Sequence, residues 1–255
     1  MKLVSKKLIL CLVALVGGCA QAQVSAVNGP GTPATISGKG FRLSGFAMYT
    51  QGEPFQLVQR HANTLTLPDG TKRTSETVDH VFRDSRGRFR LESGSMKDGV
   101  FEARNITIFD PVALVEVSFG AHATTGRLTH IEPRQFPSPE DERKAAEQAA
   151  RSAAYDRAHP DDFSEEALGT RTIAGEEAVG TRKKQLFVPV DGKGRFSRST
   201  ETWSSPELKI DLLTVTDNST IGSMRTEVTD LKRAEPDPEL FKVPAGLTLQ
   251  EQVRH

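Results

Sequence analysis

The sequence predicts a mainly β fold of the α+β class: a mostly antiparallel sheet with one prominent helix. Three observations predict it. Short runs separated by turn signals, such as Pro68-Asp69-Gly70 and Asp191-Gly192-Lys193-Gly194, recur on both sides of the chain's midpoint. One segment, near residues 139–158, carries start and stop signals for a helix at its two ends. No β-α-β rhythm is visible, so consecutive strands joined by hairpins imply antiparallel pairing.

The elements follow in chain order, beginning with a leader. Lys2, Lys6 and Lys7 precede an apolar run from Leu8 to Val16. A bilayer span needs about 20 apolar residues, so this run is too short to cross and fits a signal-peptide core. Two processing sites compete. Ala20-Gln21-Ala22 is an A-x-A pattern that makes residues 1–22 a signal peptide and Gln23 the first mature residue. Val16-Gly17-Gly18-Cys19 resembles the bacterial lipobox, which would make Cys19 a lipid-attachment site; Val16 stands where Leu is preferred and Gly17 where Ala or Ser is usual. Both readings predict export to the periplasm or exterior, with a membrane anchor through Cys19 in the second. No other segment is apolar and long enough to span a membrane.

Residues 23–40 are rich in Gly, Pro, Ser, Thr and Ala without a hydrophobic period, and read as a flexible tether. Residues 41–250 read as one β-rich domain and 251–255 as a tail; two small β domains joined by the helix are the alternative. Leu57–Leu67 and Thr71–Arg83 flank Pro68-Asp69-Gly70 as a hairpin. After Asp84-Ser85-Arg86-Gly87 come strands at Arg88–Glu92, Ile106–Phe109, Val112–Phe119 and Arg127–Ile131, with Pro111 in a turn or strand start because it cannot donate to a ladder. The helix is bounded by Ser138 as cap, Pro139 at the first turn, Asp141 completing an S-x-x-D box, and Pro160 beyond its end. Its apolar stripe is alanine plus Tyr155, so it buries little and packs lightly. Strands resume at Leu168–Ile173, Ala178–Val188, Arg195–Trp203, Leu208–Val215 and Gly222–Leu231, with a turn at Ala174-Gly175 and a hairpin loop at 191–194.

These residues carry a resemblance. The order of Leu168-Gly169-Thr170-Arg171-Thr172-Ile173-Ala174-Gly175, Glu201-Thr202-Trp203 and the tail from Glu235 to Gly246 resembles a group of uncharacterised exported proteins of soil bacteria. Ile106-Thr107-Ile108-Phe109-Asp110-Pro111 before a Val-rich strand looks like a motif of the lipoprotein-carrier superfamily. The tail and strand rhythm are similar to periplasmic lipoprotein carriers of the LolA type. That resemblance implies a curved, unclosed antiparallel half-barrel whose concave apolar face receives acyl chains. Leu247 departs from the pattern, where a Tyr often stands.

Composition narrows the function classes. Across 255 residues, 33 cations balance 33 acids; without the leader's three lysines the balance is about −3. A nucleic-acid binder or polybasic membrane-surface protein needs a cation surplus that is missing here. The two cysteines, Cys11 and Cys19, both lie in the leader, which excludes a mature disulfide, a thiol nucleophile and a Cys-ligated metal. No G-x-S-x-G, H-E-x-x-H, P-loop or helix-opening G-x-G-x-x-G occurs, and no cofactor is implied. Six histidines (His61, His80, His122, His130, His159, His255) include no i, i+4 pair. His61 and His80 sit on adjacent strands of the first hairpin, where an approach would make half a zinc site. His159 precedes Asp161 and Asp162, which form a turn or a cap after Pro160. Arg86, Arg88 and Arg90 alternate, giving a basic row for lipid phosphates or an acidic partner, or else pairing with acids such as Glu76 or Glu92. Phe101, Phe109, Phe119, Phe187, Phe196, Trp203 and Phe241 read as core, which in a half-barrel is also groove.

The functional expectation is an exported, non-enzymatic envelope protein with no assigned catalytic, cofactor or metal residues. It binds an apolar ligand, a lipid or lipoprotein acyl chain, on a concave sheet face. The alternatives are an envelope interaction or sensor protein with a filled groove, and a hydrolase with an unrecognised carboxylate or histidine site.

Overall fold

A computed structural model describes residues 53–131, 138–187 and 195–252. The leader, the tether, Cys19 and the predicted loop at 191–194 lie outside the described residues. The described chain forms strands β1 (Phe55–Thr66), β2 (Lys72–Arg83), β3 (Phe89–Lys97), β4 (Val100–Asp110), β5 (Val115–Gly120) and β6 (Thr125–His130). Helix α1 (Pro139–Ala158) follows, then β7 (Phe163–Ile173), β8 (Glu176–Phe187), β9 (Phe196–Ser205), β10 (Ile210–Asn218), β11 (Gly222–Lys232) and β12 (Thr248–Gln252). A short 3-10 turn at Pro238–Phe241 precedes β12.

All twelve strands join one sheet in the order β12-β6-β5-β4-β3-β2-β1-β11-β10-β9-β8-β7. Every pairing is antiparallel except β12 with β6. The first and last strands do not pair with each other, so the sheet is an open half-barrel. Strands before and after the helix meet where β1 pairs with β11.

Local chemistry explains the turns. Gly70 takes a positive φ in the first hairpin, and the Asp69 carboxylate accepts from the Thr71 amide at 2.9 Å. Asp110 Oδ1 accepts from the amides of Val112 and Ala113, which places Pro111 in the β4–β5 turn. The sequence reading left residues 93–105 unassigned, yet β3 and β4 form a full hairpin there. Asp98 and Gly99 both have positive φ, the type I′ geometry that the dipeptide Asp-Gly favours, so the signal was present and unread. It also missed β12, whose parallel partner β6 lies more than a hundred residues away.

Helix α1 matches its expectation: the Ser138 Oγ accepts from the Asp141 amide and Asp141 answers to the Ser138 amide, a complete capping box. Its alanine stripe stays largely exposed, and Tyr155 meets Phe163 of β7 edge-to-face at 5.8 Å.

The core occupies one end of the long strands. Phe55 is 0% exposed and packs in one cluster with Leu57, Val81, Phe89, Phe109, Leu212 and neighbours. A smaller cluster holds Ile106, Ile108, Val117 and Phe119 against Leu247 and Leu249. The far ends of the strands are exposed, as in β2, where residues 72–77 are all exposed and 78–83 run buried or half-buried.

Candidate functional site

The paired-strand register decides the fate of the predicted site residues. His61 stands opposite Thr77 and His80 opposite Val58, an odd offset that puts the two rings on opposite faces of the sheet. They do not meet, and the half zinc site is not assembled. Among the described residues no group of three or more metal-binding side chains occurs. His80 stacks on Phe101 at 3.9 Å, and burial holds its pKa below the ordinary histidine value against the opposing charges of Glu92 and Asp79. His159 ends the helix, its Nδ1 within 2.8 Å of the Tyr155 carbonyl oxygen, while the Asp162 amide donates to the His159 carbonyl, so the acids there serve a turn.

The arginine row does not form as expected: Arg86 is exposed in the turn before β3, and Arg88 and Arg90 are taken up by structural contacts. Arg88 pairs with buried Asp84 at 2.6 Å and lies 4.7 Å over the Phe241 ring. Arg90 pairs with Glu92 at 2.6 Å and donates to the Leu240 carbonyl. Both clamp the 3-10 turn onto β3. Glu76 pairs elsewhere, with Arg60 at 3.0 Å. Of the aromatic set, Phe109, Phe119, Trp203 and Phe241 are buried, whereas Phe187 and Phe196 stack on one another at 4.8 Å and are half-exposed.

His61 does acquire partners, and they come from strands the sequence could not place together. Its Nε2 lies 3.0 Å from Asp79 Oδ2 and its Nδ1 3.0 Å from Thr226 Oγ1. A carboxylate only accepts, so with Asp79 ionised Nε2 carries a proton, and in a neutral ring Nδ1 then accepts from the Thr226 hydroxyl. Thr226 is 165 residues from His61 and reaches it through the β1–β11 pairing, in which the two are directly opposite. Next to this line, Gln59 stands opposite Asp79, is 2% exposed, and has an Oε1 without a hydrogen-bond partner.

Two clefts on the described surface have mixed linings in which polar groups predominate. One, of about 370 Å³, is bordered by His61, Thr77, Asp79, Ser93, Arg104 and Asn105. It lies where β2 and β3 part: β2 pairs with β3 only from Val78 to Arg83, although it follows β1 along its whole length. The other, about 410 Å³, is lined by residues such as Asn105, Thr107, Ser118, Arg127 and Gln250 of β4, β5, β6 and β12. Thr226 is not among the residues that border the first cleft, and its hydroxyl is within hydrogen-bond distance of His61.

No family model matches the chain, and no curated protein matches it. Solved structures do. MucB of Pseudomonas aeruginosa, in its complex with MucA, aligns with 77% of this chain at 15% identity and a TM-score of 0.41. This chain spans only 57% of that MucB chain. A LolA superfamily protein from Nitrosomonas europaea aligns over 76% of this chain and 92% of its own, at 9% identity and a TM-score of 0.33. LprF from Mycobacterium bovis aligns over 74% of this chain and 90% of its own, at 14% identity and a TM-score of 0.29.

Proposed function

We propose that this chain is an exported, non-enzymatic binding protein of the cell envelope, folded as one domain over 41–250, whose ligand is a polypeptide. One observation carries the reading: the buried apolar side chains of the sheet pack against one another in two clusters, and two clefts on the described surface are lined mainly by hydroxyls, amides and guanidinium groups, with Ile106 and Phe119 in one of them. An acyl chain gains its binding energy from apolar surface, at roughly 0.8 kcal/mol per buried methylene. A cleft of Thr, Ser, Asn and Arg offers it little. Backbone and side-chain amides of a protein partner can pair with the same groups. The filled interior therefore favours the interaction role over lipid carrying. Export is supported by the leader, and among the described residues no helix is long and apolar enough to cross a membrane.

Gentle purification from the native host, followed by native mass spectrometry and lipid extraction, tests this. The expected species is protein with a polypeptide partner and no stoichiometric acyl lipid. A near-stoichiometric acyl ligand would overturn the reading in favour of a carrier.

A second reading, a hydrolase, has one observation in its favour: the line Thr226–His61–Asp79 has the hydroxyl–imidazole–carboxylate order that activates a nucleophile. Its test is hydrolysis of p-nitrophenyl acyl esters by the purified protein. Turnover abolished in both His61→Ala and Thr226→Val variants would establish it, and a rate equal to the variants' would dismiss it.

A further inference from the structure

The fork between β2 and β3 leaves an unpaired strand edge inside the sheet, and its geometry can be worked out residue by residue. The Thr66 amide donates to the Ile221 carbonyl at 2.8 Å, so the backbone of Thr66 faces β11. The Leu67 amide donates to the Thr71 carbonyl at 2.8 Å and closes the hairpin. In an antiparallel ladder bonded and non-bonded pairs alternate. Thr66–Lys72, Thr64–Thr74 and Ala62–Glu76 are therefore non-bonded pairs, and Lys72, Thr74 and Glu76 aim their N–H and C=O groups away from β1, into the fork. Across the gap, the two-residue turn Asp98-Gly99 makes Lys97–Val100 the bonded closing pair, so Met96 likewise turns its backbone towards the fork.

The divergence is built into the strands. Opposite Ser93 and Gly94 the strand β4 bulges at Arg104, and a Cβ on Gly94 would stand 2.0 Å from the Glu102 carbonyl oxygen, a contact only glycine avoids. Beyond the bulge Phe101 of β4 reaches across β3 to stack on His80 of β2, at the part of β2 that still pairs with β3. Among the described residues no strand pairs with residues 72–77 on the fork side, and all six are exposed. The segment is also regular, without a bulge in its pairing to β1. The outer edge strand β7, by contrast, is interrupted by a register shift between Ala167 and Gly169. Natural sheets blunt their edges with such irregularities, and a regular exposed edge is a template for a further strand.

Charge limits the occupant. Around the fork Glu76 is paired with Arg60, and Glu102 with Lys97. Arg104 borders the cleft and donates to the Ser95 hydroxyl at 3.1 Å. Lys72, Arg73 and Arg104 are thus left without a carboxylate partner among the described residues, against Asp69 and Asp98 at the two turns and Asp79 in the cleft, which faces His61. An acyl chain has no donors or acceptors for the exposed ladder groups, whereas an extended peptide backbone has both, at the matching spacing.

Resting on the polypeptide-partner reading above, we propose that residues 72–77 of β2 form the binding edge for an extended, acidic polypeptide segment that adds as a strand in the fork between β2 and the β3–β4 hairpin.

The test uses the full chain and a defined probe, an acetylated decapeptide of alternating Asp and Val. Calorimetry is expected to show saturable binding, and hydrogen exchange to show new protection at the amides of Lys72, Thr74 and Glu76. The same decapeptide N-methylated at every residue should bind at least tenfold more weakly, as should one with Lys in place of Asp. Thr74→Pro, which removes an N–H that β1 does not use, should weaken binding by a similar factor. Equal binding of the N-methylated probe, or no protection at 72–77, would overturn the proposal. So would protection that appears without probe and rises with protein concentration, which would mark pairing between copies. If host-purified protein keeps a polypeptide partner that Thr74→Pro does not disturb, the partner reading stands and the β2 edge falls; if it carries acyl lipid instead, the partner reading itself falls.

Discussion

Trp203 lies across Gly180. Ring atoms of the indole would stand 2.6–2.7 Å from a Cβ placed on that glycine, which is directly opposite Trp203 in the β8–β9 pair. The other side of the ring is taken by the Arg171 guanidinium, 4.0 Å from its centroid, and Nε1 donates to Glu201 Oε1 at 2.7 Å. The indole is thus held on two sides and at its edge, and the glycine supplies the floor.

Gly180→Ala is therefore expected to destabilise the fold by about 1–3 kcal/mol, the usual range for forcing extra carbon into a packed site. The backbone at Gly180 is not in the left-handed region, so the effect comes from contact with the indole. Urea unfolding followed by Trp203 fluorescence should show a lower midpoint with an unchanged slope. An unchanged midpoint would mean that the ring moves aside freely.

Asp211 is a half-buried carboxylate on β10. Burial raises its pKa, and the Ser204 hydroxyl, donating to Oδ1 at 2.5 Å, offsets this only in part. A carboxyl group with a raised folded-state pKa binds its proton more readily when folded. Its contribution to stability is present below the unfolded value and lost as pH rises through the folded one. Asp211→Asn keeps an acceptor for Ser204 and removes the ionisation. At pH 7 the variant should equal or exceed the parent in thermal stability, with the gap closing as pH falls below the ordinary carboxylate range.

His80 has the opposite sign. Burial lowers its pKa from 6.5, so the folded state favours the neutral ring stacked on Phe101. The corresponding stability is present above pH 6.5 and lost as pH falls through the lowered folded value. His80→Phe retains a stackable ring without a proton to gain. Melting temperatures measured from pH 8 to pH 5 should fall more steeply in the parent than in the variant; parallel curves would remove His80 from the acid response.

The leader makes a chemical prediction. Mass spectrometry of native material should find a mature chain starting at Gln23, from cleavage after Ala22. A diacylglyceryl group on Cys19 would establish the anchored form instead, and an intact Met1 would refute export by this leader.

Legibility in the sequence followed the range of the interactions. Ser138, Pro139, Asp141 and Pro160 announced the helix because capping is settled within four residues. Pro68-Asp69-Gly70 and Ala174-Gly175 announced their hairpins because φ preferences are local. The same locality puts the Asp98-Gly99 hairpin within reach of the sequence, because the two positive φ values of its turn are a preference of that dipeptide.

The candidate sites were legible only in part. His61 was visible as a strand histidine, but not its partners, because Asp79 and Thr226 reach it from two different strands, one of them 165 residues away. Arg88 and Arg90 were visible as an alternating row, but Asp84 and the 3-10 turn that occupy them were not.

By itself, then, the sequence determined the antiparallel β class and the capped helix of the described residues, and it placed both cysteines, Cys11 and Cys19, ahead of the β-rich region. Each depends on near neighbours or on composition. Tertiary structure alone decided that β1 pairs with β11, that His61 and His80 face opposite ways, and that β2 parts from β3 at Gly94. Those outcomes depend on register. A one-residue change in pairing turns every side chain to the other face, and the register is fixed by long-range packing that no local signal encodes.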